Sequence, residues 1–153
     1  MEMADDRSKK ACFYILKTPS KDKVLCQLVN QYYEQGRKVF ILVDSQQYAE
    51  SIDRLLWTFK QASFIPHEIV CDSDVAVEAP VVISMVESNI DNAQILVIAK
   101  DIDQRNMEFL ESFEVIVDFA EKYDELLLQK SRDRFKLIKK LGFKMYTVDD
   151  VVK

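Results

Sequence analysis

GRKVFILVD, running from Gly36 to Asp44, holds five apolar residues in a row, Val39 to Val43, with no polar position left to face water. A strand of this kind has to be covered on both faces, the condition of a parallel sheet sandwiched between helices. The flanking sequence supplies the helices. Upstream, Lys21 to Gln35 sets Val24, Leu28, Gln31 or Tyr32, and Gln35 at helical spacing, with Leu25 and Val29 beside them, and Gly36 stops the run. Downstream, Ser45 to Phe59 returns to the same period through Tyr48, Ile52, Leu55, Leu56 and Phe59. ACFYILKT, Ala11 to Thr18, is a first strand closed by Pro19-Ser20. After the less regular SFIPHEIVCD and an acidic loop from Asp72 to Glu78 come VVISMV, AQILVIAK and EVIVDFA, a short helix around Met107 to Phe113, a long basic helix within Asp124 to Phe143, and KMYTV as a last strand. Alternating buried strands and amphipathic helices predict a three-layer α/β fold, a mostly parallel sheet flanked by helices.

A chain of 153 residues, 48% apolar, can build one core. Residues 1–10 are expected to be a flexible segment and 11–153 a single domain. No run of about 18 apolar residues is present to span a bilayer, and MEMADDRSKK lacks the apolar stretch of a secretion signal. A cytoplasmic protein without membrane contact is expected. Cys12, Cys26 and Cys71 are odd in number with no C-x-x-C spacing, and read as buried free thiols rather than disulfide or zinc ligands.

The glycines argue against the usual ligand of such a sheet. There are two, Gly36 and Gly142, each between a helix and a strand, where a left-handed cap wants glycine. After the first strand stands LKTPSKDK, in place of a glycine-rich phosphate loop. No cofactor is expected. Asp44, Asp72, Asp101 and Asp118, near strand ends, raise the alternative of a Mg²⁺-dependent enzyme acting on nucleotides or phosphate esters. Aspartates there also cap helices, as Asp44-Ser45 is placed to do, and no nucleophile accompanies them in a recognisable spacing. The single histidine, His67 in IPHE, is expected to hydrogen-bond a loop beside Pro66. No catalytic residue or metal ligand is assigned.

Two groups remain. From Lys130 to Lys144 seven basic residues face one acid, so this stretch carries +6 and the rest of the chain −11 against a net −5. On a helix, Leu127, Ser131, Arg134, Ile138 and Leu141 share the inward side. Arg132, Lys136 and Lys139 fall within an arc of roughly 60° beside it, with Phe135 and Leu128 on the shoulder. Such a row is either a solvated face or an apolar notch bordered by cations, suited to a small anionic element rather than to nucleic acid. The second group, Trp57, Phe59, Phe64, Ile65 and Pro66, packs too many large apolar residues into a short segment for all of them to reach the interior.

In this order, FYIL, GRKVFILV, LLWTF followed by SFIPH, VIVDFAEKYDE and SRDRFKLIKKLGF resemble the chi subunit of bacterial DNA polymerase III over most of the chain. The resemblance implies a Rossmann-like fold without enzymatic activity and a role as an adaptor in the clamp-loader assembly. One surface would pair with the psi subunit through Trp57, Phe64 and Pro66. Another would bind the acidic C-terminal tail of the single-stranded-DNA-binding protein, with Arg132 and Lys136 as cations, Phe135 as apolar wall, and Leu128 and Lys139 beside them. No direct DNA binding is implied. Family members often carry tyrosine at the position of Phe135, and the segment before Ala11 and the DDVVK tail are particular to this chain.

Overall fold

The computed structural model describes residues 9–58, 64–72 and 77–149. The strands are β1 (Lys10–Leu16), β2 (Val39–Val43), β3 (His67–Val70), β4 (Val81–Ser84), β5 (Ile95–Ala99), β6 (Val115–Glu121) and β7 (Lys144–Val148). The helices are α1 (Lys21–Glu34), α2 (Gln46–Thr58), α3 (Met107–Glu111) and α4 (Glu125–Lys140). All seven strands form one sheet in the order β3-β4-β2-β5-β6-β1-β7, and every pairing is parallel.

The period-two alternation of the strands divides the core into two layers. Val39, Ile41 and Val43 of β2 pack with Leu25, Val29 and Ile52 of α1 and α2 on one face. Phe40 and Leu42 pack with Leu110, Phe113 and Ile138 of α3 and α4 and their connection on the other. β2 is fully buried along its length, as its unbroken apolar sequence requires. β7, at the sheet edge, is exposed or half-buried at every position.

The helix ends follow local chemistry. Gly36 and Gly142 both adopt positive φ, 77° and 94°, where a Cβ would be strained. α2 starts at Ser45, whose Oγ accepts from the Tyr48 N–H at 3.1 Å. The capping expected of Asp44-Ser45 is therefore done by the serine, and Asp44 is exposed. α4 starts at Asp124, whose Oδ1 accepts from the Leu127 N–H at 3.0 Å.

One expectation changes. Cys26 is buried and Cys12 half-buried, but Cys71 is exposed, because it follows the last residue of β3 at the rim of the sheet. Lys10, the last residue of the expected N-terminal segment, pairs with Val115 and Lys144. Residues 1–8, the centre of the Asp72 to Glu78 loop, Phe59, and 150–153 of the terminal tail lie outside the described residues.

Candidate functional site

Sheets of this kind hold ligands at the carboxyl ends of their strands. A crevice of about 750 Å³ opens there, between the β1–α1 connection, α2 and the end of β6. Several of its polar groups are committed to one another. Tyr48 Oη donates to Asp22 at 2.6 Å, Tyr123 Oη donates to Glu121 at 2.5 Å, and Lys21 lies 3.9 Å from Glu121. Burial, reinforced by Asp22, pushes the Tyr48 phenol well above its ordinary value.

The second concavity, about 370 Å³, lies on the opposite face between α4 and the β6-β1-β7 edge of the sheet. Its floor is Phe13 and Ile15 of β1, Ala120 of β6 and Thr147 of β7. Register brings these together: Phe13 stands opposite both Asp118 and Thr147, and Ile15 opposite Ala120. Its helical wall is Leu128, Ser131, Arg132, Phe135 and Lys136, and Lys122 stands at the β6–α4 turn. Three cations and no acid line it.

The rotation of α4 sets which side chains reach this groove, and two inward groups fix that rotation. Ser131 Oγ donates to the Phe119 carbonyl at 2.8 Å. Arg134, 7% exposed, donates from Nε to Asp118 at 2.7 Å and from a terminal nitrogen to Asp101 at 2.6 Å. Asp118 is 1% exposed. Burial pushes its carboxyl up, with the Arg134 guanidinium pulling the other way. Burial also works against the Arg134 charge, but Asp118 and Asp101 together hold it above its ordinary range. Lys130 joins Asp101 at 3.3 Å. With α4 clamped so, Phe135 turns toward the sheet and meets Phe13 edge-on, with centroids 5.1 Å apart.

The basic residues of α4 thus fall into two classes. Lys130 and Arg134 are spent on Asp101 and Asp118. Arg132, Lys136, Lys139 and Lys140, with Lys122 beside them, form no ion pair with an acid among the described residues. Of the residues singled out in the sequence, Leu128, Arg132, Phe135 and Lys136 share the groove, while Lys139 is exposed on the same helix outside it. Sequence reasoning missed Lys122, Phe13, Ile15, Ala120 and Thr147. The alternation in FYIL sets Phe13 and Ile15 on one face, but only the order β6-β1-β7 brings that face under α4.

The aromatic group sits elsewhere, at the end of α2 and the entry to β3. Trp57 and Phe64 are 56% and 58% exposed, with ring centroids 5.2 Å apart; Pro66 is half-buried and Ile65 fully buried. His67 supports them from below, meeting Trp57 edge-on at 5.1 Å. Its Nδ1 is 2.6 Å from the Ile65 carbonyl, the loop hydrogen bond expected of it. Its Nε2 lies 3.0 Å from Asp53, without the alignment of a hydrogen bond.

The sequence profile of the family described as DNA polymerase III chi subunit, HolC, matches residues 9–146. The chain belongs to the DNA polymerase III chi subunit family. Curated relatives named DNA polymerase III subunit chi include the Haemophilus influenzae protein, 29% identical over 92% of this chain and 96% of its own length. The Escherichia coli protein is 25% identical over 91% and 97%, and that of Pseudomonas aeruginosa 24% over 86% and 89%. Chi family membership carries an accessory role in DNA replication. No helix among the described residues is long and apolar enough to cross a membrane.

Proposed function

We propose that this chain is a non-catalytic, cytoplasmic adaptor of the replicative polymerase, which links the clamp loader, through the psi subunit, to the acidic C-terminal tail of the single-stranded-DNA-binding protein. The observation that carries the reading is the groove under α4, where an apolar floor meets Arg132, Lys136 and Lys122 with no acid among its lining residues. A peptide that ends in an aromatic residue after a run of aspartates matches both properties. One ring buried against Phe13, Phe135 and Leu128 contributes about 2 kcal/mol. Arg132 offers a bidentate fork to a carboxylate, and Lys136 and Lys139 attract the preceding acids as point charges. The exposed Trp57-Phe64 pair with Pro66 has the composition of a protein anchor and is assigned to psi.

Fluorescence anisotropy with a short aspartate-rich peptide ending in phenylalanine tests the tail site. Micromolar binding that falls with Arg132→Ala is expected; equal binding by both proteins, or none by the wild type, would sink the assignment. The rival Mg²⁺-dependent enzyme has less to build on, since Asp101 and Asp118 are turned onto Arg134 and Asp44 is exposed at the end of β2. Clear thermal stabilisation by Mg²⁺ with a nucleotide would revive it.

A further inference from the structure

The chain has one tryptophan and one histidine, and the two are in contact. Trp57 stands one turn after Asp53 on α2, so both project from the same side of that helix. His67, the first residue of β3, lies beneath them with its side chain fully buried. Each of its ring nitrogens faces an acceptor. Nδ1 is 2.6 Å from the Ile65 carbonyl, an oxygen that can only accept, so Nδ1 carries a proton. Nε2 is 3.0 Å from the Asp53 carboxylate, and no group donates to it. A neutral ring protonated on Nδ1 would turn a buried lone pair toward that carboxylate, whereas an imidazolium suits both oxygens.

What hangs on the two oxygens gives the contact its meaning. Ile65 is 2% exposed and fixes the residue next to Phe64, while Asp53 belongs to the helix that carries Trp57. An imidazolium therefore ties the two halves of the exposed aromatic pair together from below. The other charges nearby are directed elsewhere. Glu68, its neighbour in β3, accepts from the Ala79 N–H at 3.3 Å, Glu50 and Arg54 of α2 are exposed, and β4 sets Val81 opposite His67. Resting on the reading of Trp57 and Phe64 as a protein anchor, we propose that His67 is the positioning residue of that anchor and makes it pH-sensitive. The imidazolium holds Trp57 against Phe64 for the partner, and loss of the Nε2 proton to solvent releases the ring.

Trp57 is its own reporter, because an imidazolium quenches indole emission more than a neutral imidazole does. Emission and steady-state anisotropy are followed between about pH 5 and 8, where imidazole ordinarily titrates, in wild type, His67→Asn and Asp53→Asn. His67→Asn keeps an amide N–H for the Ile65 carbonyl but carries no charge. Asp53→Asn offers Nε2 an N–H to accept, which satisfies the neutral ring. In wild type, emission should rise and anisotropy fall in one step as pH rises. Anisotropy should stay at the lower level throughout in His67→Asn and at the higher level throughout in Asp53→Asn. A flat wild-type profile, a step that survives in His67→Asn, or an anisotropy loss in Asp53→Asn like that of wild type would each overturn the proposal. Titration with the psi subunit separates the anchor from its support. Wild type is expected to bind about fivefold more tightly at about pH 6 than at about pH 8, the cost of ordering one released side chain, and His67→Asn to lose that difference. Equal wild-type affinity at the two pH values would overturn the regulation. Absence of psi binding at both would instead overturn the anchor reading, while the fluorescence step alone would still establish that His67 holds Trp57.

Discussion

Arg132 and Arg134 are two residues apart on one helix and have opposite fates. Arg134 is buried against Asp118 and Asp101 and locks α4 to the sheet; Arg132 stands at the rim of an apolar groove with no acid to meet it. The flank of α4 toward β6 is therefore a closed electrostatic system, and the flank toward β1 and β7 is an open one. Basic content alone does not separate them. What identifies an anion site is positive charge that the fold itself leaves uncompensated beside surface that a ligand can cover.

The sharpest way to break this contrast is to exchange the two outcomes by mutation. Arg134→Ala leaves Asp118 charged and buried, and is expected to cost about 3–5 kcal/mol in denaturant unfolding. Removing both partners, Arg134→Met with Asp118→Leu, should cost much less. The sign of the pH dependence follows from the orphaned carboxyl. Its folded pKa stands above the unfolded value of about 3.9, so the Arg134→Ala defect grows as pH rises through the folded value and shrinks toward pH 4. A defect independent of pH would show that the loss is one of packing and not of charge.

Phe135→Ala comes next, because the ring belongs to both flanks. Loss of its contact with Phe13 should cost about 1.5–3 kcal/mol of stability, and peptide affinity should fall about tenfold. Arg132→Ala is expected to lower that affinity by a similar factor, about tenfold, while shifting stability by no more than about 0.5 kcal/mol. An Arg132 variant that unfolds easily would erase the distinction between the flanks. Rising salt should weaken the wild type more than the Arg132 variant, since exposed cations are screened.

The smallest effect is a reporter. Burial pushes the Cys26 thiol up to about 12, while Cys71 is exposed. A thiol reagent near neutral pH should label Cys71 quickly, Cys12 more slowly and Cys26 only through opening of the core. Labelling of Cys26 should be faster in Arg134→Ala and unchanged in Arg132→Ala.

The architecture was legible because its strands are apolar on both faces. Val39 to Val43 or Ile95 to Ala99 admit no other arrangement, and Gly36 and Gly142 mark where helices end. The inward turn of Arg134 was legible too, since it shares a helical face with Ser131 and Ile138. The groove was legible on its helical side only. Leu128, Arg132, Phe135 and Lys136 are neighbours by period, whereas Phe13, Ile15 and Thr147 come from strands more than a hundred residues apart in sequence. No local pattern encodes that pairing. Lys122 was hidden for a related reason: its place depends on the turn from β6 being tied to Leu16. Asp101, just past β5, and Asp118, which the structure places in the middle of β6 rather than at its end, resembled metal ligands because a carboxylate in sequence looks the same whether a cation or an arginine lies opposite it.

The position of β1 between β6 and β7 has a consequence for how the protein comes into being. On the ribosome β1 is made before both of its hydrogen-bonding neighbours, β6 and β7, and waits unpaired until they follow. The floor of the groove is held by that early strand and the wall by the late helix α4. A chain that stops before β7 would lack Thr147 and with it part of that floor, so the groove is complete only in molecules whose synthesis has run through β7.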